Sequence, residues 1–246
     1  MAKLRLDILL VDRGLADTRA KAQALIAAGK VYSNEVKLDK AGHPVAEDIP
    51  LTVREAEHPW VSRGGMKLAK GLEYFNINPS GLICLDVGAS TGGFTDVLLT
   101  HGAAKVYAVD VGHGQLDWKL RQDARVVVLE KTNARSLDHN LIPDTPALIV
   151  CDASFISLKT VLPASLTLAA KDAVLIALIK PQFEVGKGNV GKGGVVRDES
   201  LHKIVCEDIE NWLTETMGWN VLGITESPIK GPKGNTEFLI AAAHSH

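Results

Sequence analysis

The sequence predicts a doubly wound α/β domain preceded by a small α+β domain, and three observations carry that expectation. Six apolar runs, at 82–87, 105–109, 126–129, 147–150, 173–179 and 221–224, are separated by helical segments. Continuous apolar strands of this kind belong to a parallel sheet covered on both faces. A last apolar run at 238–243 follows a turn rich in Pro and Gly at 228–235, so it should return antiparallel as a hairpin. Ahead of residue 59 the pattern differs, with short helices followed by short alternating segments.

In that first stretch Leu6, Leu9 and Leu10 recur at helical spacing and stop at Gly14. Ala22, Leu25 and Ile26 repeat the pattern between a Thr18 cap and Gly29. Val31 and Val36 then flank Ser33-Asn34, and Ile49, Leu51 and Val53 alternate with other residues, as small strands joined by turns do. Between residues 13 and 30 the bases Arg13, Arg19, Lys21 and Lys30 face one acid, Asp17. Charge alone fits a solvated helix face as well as a phosphate-binding one. Arg19 and Lys21 tip the balance to RNA, because cations in a first turn oppose the helix dipole and gain nothing locally. Residues 55–65 have mixed charge, Pro59, Trp60 and Gly64-Gly65, without a period. The expected organisation is therefore a first domain at 1–58, a linker at 59–65 and a second domain at 66–246.

With 246 residues, 46% hydrophobic and 23% charged, the chain reads as globular, with one sizeable core and a small extra domain. The net charge of −2 argues against a wholly basic nucleic-acid coat, so RNA contact must come from local charge. Cys84, Cys151 and Cys206 lack metal-ligand spacing, which fits a reducing cytoplasmic setting without a metal site. The opening Met-Ala-Lys-Leu-Arg-Leu-Asp alternates charge and lacks the apolar core of a signal peptide. The longest apolar run, 173–179, falls short of the roughly 20 residues that a membrane span needs.

The strongest local signal is Leu85-Asp86-Val87-Gly88-Ala89-Ser90-Thr91-Gly92-Gly93-Phe94-Thr95, joining a strand to a helix. Glycines there let the backbone turn sharply and approach a ligand closely. Ser90 occupies the second glycine position of a dinucleotide fingerprint, which disfavours NAD and a dehydrogenase. Asp110 ends the next strand roughly twenty residues after Gly88, where an acid meets ribose hydroxyls in this topology. A methionine-bearing nucleoside satisfies both features, which makes Asp86, Gly88, Ser90, Thr91, Gly92, Gly93 and Asp110 the candidate cofactor residues. Asn133, after the third strand, is assigned to the adenine side.

Ligand crevices of open α/β sheets lie beyond the carboxyl ends of the strands. Lys180 follows an apolar run directly, Asp152 follows one after Cys151, and Glu237 starts a strand that runs backwards, so all three should face one crevice. Each alone could be an ordinary strand-end charge; their convergence is what points to chemistry. A ribose 2′-hydroxyl is a poor nucleophile, and an amine with lowered proton affinity can take its proton, Lys180 being the candidate. Alignment of the reactants supplies effective molarities on the order of 10⁵ M or more, without a metal.

These features resemble the TlyA family, also called haemolysin A, in which an S4-type RNA-binding domain precedes an FtsJ-like, Rossmann-like methyltransferase domain. The resemblance covers essentially the whole chain. It is carried by Arg5-Leu6-Asp7, Arg13-Gly14-Leu15, Ser62-Arg63-Gly64-Gly65-Met66-Lys67-Leu68, the segment from Asp86 to Thr95, Cys151-Asp152-Ala153-Ser154-Phe155, Lys180-Pro181-Gln182-Phe183-Glu184 and Gly234-Asn235-Thr236-Glu237. It implies an S-adenosylmethionine-dependent methyltransferase acting on cytidine 2′-hydroxyls of ribosomal RNA, often within assembled subunits. It further implies a Lys-Asp-Lys-Glu tetrad at Lys67, Asp152, Lys180 and Glu237, with Asp152 also beside the cofactor. Lys67 is supplied by the resemblance alone. Ser33-Asn34-Glu35 departs from the Asn-Gly turn common in related first domains.

Arg5, Arg19, Lys21 and Arg63 are the candidate RNA contacts; phosphate contacts orient a substrate without reading its sequence. The glycine-rich stretch 185–194 could close over RNA or be a mobile surface loop. The target nucleotide is expected to leave its stack for reaction. Two rivals are an RNA-binding assembly factor with a silent methyltransferase fold and a pore-forming haemolysin, the latter lacking a long apolar span or an alternating barrel series.

Overall fold

A computed structural model describes residues 3–27, 29–53, 58–191 and 193–244. The chain divides into two compact units, Met1–Pro59 and Trp60–His246.

The first unit contains β1 (Lys3–Arg5), α1 (Leu6–Asp12), α2 (Arg19–Ala27), β2 (Val31–Ser33), β3 (Val36–Lys37), β4 (Pro44–Ala46) and β5 (Thr52–Val53). The two expected helices form, and Thr18 accepts a hydrogen bond from the Lys21 amide at 3.2 Å. Leu6, Leu9, Leu10, Ala22, Ile26, Val31 and Val45 make its core. Asn34 adopts φ +52° between β2 and β3, a conformation that Asn tolerates better than most side chains. The alternation at 49–53 yields a strand only at Thr52–Val53, while Ile49 and Leu51 pack on the core from irregular chain. The antiparallel pairing of β1 with β4 has no local sequence signal.

The second unit runs through α3 (Gly64–Tyr74), β6 (Ile83–Val87), α4 (Gly93–Thr100), β7 (Lys105–Val109), α5 (Trp118–Arg121), β8 (Val126–Leu129), β9 (Leu148–Cys151), α6 (Leu158–Val161), α7 (Pro163–Thr167), β10 (Val174–Ile179), α8 (Pro181–Glu184), α9 (Glu199–Asn211), β11 (Trp219–Glu226) and β12 (Phe238–His244). All six apolar runs and the last run at 238–243 become strands. Their order is β11-β12-β10-β9-β6-β7-β8, parallel from β10 to β8, with β12 antiparallel to both β10 and β11. Residues alternate between the sheet's faces: Leu85 and Val87 pack with α6, α7 and α9, and Cys84 packs with α3 and α4. Burial on both sides is why the parallel strands read as continuous apolar runs.

The expected linker at 59–65 is largely absorbed into this unit. Trp60 and Val61 pack on the core face that holds Leu68 and Phe94, the Val61 amide donates to Asp96 Oδ2 at 2.8 Å, and α3 already starts at Gly64. The indole decides this, since a Cβ on Gly65 would come within 2.5 Å of Trp60. Residues 54–57, the end of the expected first domain, lie outside the described residues. Among the described residues no helix is long and apolar enough to cross a membrane.

Candidate active site

The turn after β6 is shaped by three residues with positive φ: Gly88 (+84°), Ser90 (+48°) and Gly92 (+95°). The Gly88 and Ala89 amides donate to Val109 O at 2.9 and 3.0 Å, tying the turn to β7. Gly88 also lies so near the chain after β9 that a Cβ would sit 3.0 Å from the Ala153 backbone. Asp110, at the end of β7, accepts from the Ser90 amide at 2.8 Å and the Gly112 amide at 2.6 Å. A cavity of about 510 Å³ opens here, lined among others by Gly88, Ser90, Asp110, Asn133, Ala153 and Phe155. Its size is that of a small-molecule site, and its apolar walls with a few polar groups are typical of one. Asn133 Oδ1 accepts from the Arg135 amide at 3.1 Å, capping a short 3-10 turn that places the side chain on this wall.

Two of the expected cofactor residues, Asp86 and Gly92, line neither this cavity nor the one beside it. Asp86 is fully buried, its Oδ2 accepts from Thr95 Oγ1 at 2.6 Å, and its Oδ1 has no hydrogen-bond partner among the described residues. The strand's alternation turns it toward α4, and burial pushes its carboxyl up to about 7. Gly92 packs instead against α5, where a Cβ would come within 2.2 Å of Leu120. Thr91 and Gly93 do line a cavity, the second one.

That second cavity, about 230 Å³, shares Gly88, Ser90, Asp152 and Ser154 with the first and adds Arg63, Lys67 and Lys180. Lys67 lies early in α3, Asp152 follows β9, Lys180 follows β10 and precedes Pro181, and Glu237 precedes β12. The four side chains form one chain of ion pairs. Lys67 Nζ is 2.7 Å from Glu237 Oε2 and 3.2 Å from Asp152 Oδ2. Lys180 Nζ is 2.6 Å from Asp152 Oδ1. Lys180 also donates to Asp152 O at 3.1 Å and to Ser154 Oγ at 2.9 Å. Both lysines and Glu237 are buried, and a charge in such a place persists only when paired. Ser154 is not singled out by the sequence; a hydroxyl three residues beyond a strand end has no signature of its own.

In the first unit a buried acid organises the expected RNA contacts. Asp7 accepts from Arg5 Nε at 3.0 Å, Arg19 Nε at 2.9 Å and Gln23 Nε2 at 2.8 Å. The Arg5 guanidinium, above all, holds this carboxyl well below the usual carboxylate range. Arg19 therefore does gain a local partner, contrary to the helix-dipole argument, while about half of each arginine side chain stays exposed. Lys21 is exposed. In the second unit the end of the glycine-rich stretch meets the turn before β12: Asn235 donates to Gly194 O at 3.0 Å and accepts from the Val196 amide at 3.1 Å. Its residue 192 lies outside the described residues.

The FtsJ-like methyltransferase family matches residues 60–244, and the S4 domain matches residues 4–48. The 16S/23S rRNA (cytidine-2′-O)-methyltransferase TlyA of Mycobacterium tuberculosis is 50% identical over 97% of this chain and 89% of its own length. Hemolysin A of Brachyspira hyodysenteriae is 43% identical over 96% of this chain and 98% of its own. A solved chain from Streptococcus thermophilus, described as a hemolysin, superimposes with a TM-score of 0.76 at 41% identity, covering 100% of this chain and 90% of that one. Magnesium protoporphyrin IX methyltransferase from Synechocystis PCC 6803 shares the fold at a TM-score of 0.51 and 16% identity, over 74% of this chain and 82% of that one. By these matches the chain belongs to the FtsJ-like methyltransferase family, in its TlyA branch, with an S4 domain ahead of the methyltransferase domain.

Proposed function

We propose that this protein transfers a methyl group from S-adenosylmethionine to the 2′-hydroxyl of a cytidine in ribosomal RNA, presented in the cytoplasm within a ribosomal subunit. The observation that carries the reading is the junction of two cavities at Asp152 and Ser154, one suited to a nucleoside and the other walled by Lys67 and Lys180. The relatives named for cytidine-2′-O methylation of rRNA agree with it.

The donor set of the larger cavity fits the cofactor. Asp110 suits a ribose diol, Asn133 the adenine edge, and the apolar walls at Val87, Val109 and Ile156 the ring. When bound, S-adenosylmethionine supplies a sulfonium-activated methyl group. The protein's own residues then have three tasks. Asp152, held by both lysines, fixes the two amines relative to one another. Lys67, clasped by Asp152 and Glu237, keeps a cation beside the reacting oxygen, where negative charge develops. Lys180 pairs with one carboxylate where Lys67 pairs with two, and it is the amine assigned to receive the hydroxyl proton at Nζ, a step that requires it to enter neutral, with one of its three donated hydrogen bonds given up. Arg63, on the rim, and Arg5, Arg19 and Lys21 of the S4 unit would hold phosphates. The reactive nucleotide is taken out of its stack, because a stacked ribose is occluded.

Ribosomal subunits incubated with labelled S-adenosylmethionine test the reading. The expected product is one alkali-resistant phosphodiester step, since a methylated 2′-oxygen cannot attack its neighbour. Lys180→Ala should lower turnover by about 10²- to 10⁴-fold and leave cofactor binding by calorimetry unchanged. Absence of labelled RNA with the wild type would remove the reaction; undiminished turnover in the variant would remove Lys180 from its role.

A further inference from the structure

A third cavity, about 690 Å³, lies in the methyltransferase unit between the start of α9 and the turn joining β11 to β12. Four cations, Arg197, Lys203, Lys230 and Lys233, line it against two carboxylates, Glu199 and Glu226, in a chain whose net charge is −2. Lys230 is held by Glu226 at 2.7 Å and by Thr236 Oγ1 at 3.0 Å, and Lys203 has Glu207 at 3.7 Å. Arg197 and Lys233 have no carboxylate within ion-pair distance among the described residues.

The walls are built rather than loose. Asn235, buried, clamps residues 194–196 through Gly194 O and the Val196 amide, and its own carbonyl accepts from the Gly231 amide at 2.8 Å. His202 donates from Nε2 to Val196 O at 2.9 Å, holding the same wall from α9. One turn serves two cavities. Gly231 lines the cavity of the ion-paired lysines and touches the Glu237 carboxylate, whereas Lys230, Lys233 and Thr236 line the cationic one.

We infer that the Arg197–Lys233 cavity binds backbone phosphates of the RNA strand that flanks the reactive nucleotide, a second RNA subsite apart from the S4 unit. The inference rests on the RNA methyltransferase reading. Cations without partners attract a polyanion. The cavity is larger than one phosphate requires, and it adjoins the turn carrying Glu237, so a strand delivering its ribose to Lys180 continues past it.

The test uses the full chain with Arg197→Gln and Lys233→Gln together. Binding to deproteinised ribosomal RNA and to whole subunits is measured from 50 to 200 mM salt, conditions where phosphate contacts dominate. Affinity for both should fall, and the slope of log K against log salt should become shallower by about 1.5, the share of two phosphate contacts. Turnover at saturating RNA and cofactor affinity should not change. Lys171→Gln, at the opposite end of β10, should move none of these. An unchanged affinity and slope would overturn the proposal. So would an equal loss in the Lys171 variant, or a loss seen only with whole subunits, which would make the partner a ribosomal protein. If wild-type protein methylates no RNA, the reaction reading fails, while the salt slopes still decide the cavity.

Discussion

Replacing Lys67 by methionine isolates the deepest charge of the site. Lys67 Nζ is the one partner of Glu237 among the described side chains: Oε2 receives it at 2.7 Å, Oε1 has none, and the residue is fully buried. Asp152 keeps Lys180 at 2.6 Å, so only Glu237 is stranded. Methionine retains most of the lysine stem and opens little space. The loss is therefore that of an uncompensated buried charge, about 3–5 kcal/mol, against a total stability of about 5–15 kcal/mol for a domain. Urea unfolding followed by tryptophan fluorescence reads the methyltransferase unit alone, because all four tryptophans, Trp60, Trp118, Trp212 and Trp219, lie in it. With m of about 2 kcal/mol per molar, the midpoint should fall by about 2 M. Lys67→Met combined with Glu237→Leu should be more stable than Lys67→Met alone, as both ends of the pair are gone. A midpoint shift under about 0.5 M, or losses that simply add in the double variant, would refute the reasoning.

Gly88→Ala forces a Cβ to 3.0 Å from the Ala153 backbone at φ +84°, so calorimetry should show at least about tenfold weaker cofactor binding, the energy of roughly 1–3 kcal/mol of strain; unchanged affinity would dissociate the turn from the cofactor. Asp86, raised to about 7 by burial, binds its proton in the folded state at pH values where the unfolded chain has released it. Stability should therefore fall as pH rises from about 4 to about 7 and stay lower above, by up to about 4 kcal/mol. Asp86→Asn, which still accepts from Thr95, removes this term and should gain on the wild type between pH 5 and pH 8 in thermal unfolding; an equal difference at both pH values would contradict it. Ser154→Ala takes one acceptor from Lys180 and should lower kcat about tenfold with KM for the cofactor little changed, Ser154→Thr restoring it; a loss seen in KM instead would place Ser154 in binding rather than positioning.

Strand ends account for most of what could be read in advance. A parallel strand buried on both faces leaves a continuous apolar run, so the polar residue after it stands out: Asp152 and Lys180 by direct inspection, Glu237 by the reversed direction of β12. Lys67 has no such mark, being an early residue of an amphipathic helix, and it came from resemblance alone. The turn after β6 was legible through its glycines, but their separate reasons were not. Gly88 is set by the chain after β9 and Gly92 by Leu120 of α5, neither of which is near in sequence.

The amino-acid order by itself determined the succession of elements, the two-part organisation and the residues that end each strand, because these depend on the apolar period and on turn chemistry within short windows. Only the tertiary structure decided which atoms meet: Asp86 turned toward Thr95 of α4, Arg19 bound to Asp7, Trp60 folded into the second unit, and Ser154 hydrogen-bonded to Lys180. The reason is separation along the chain. Lys67 and Glu237 are 170 residues apart, and a contact at that distance exists only after the sheet has packed between its two layers of helices.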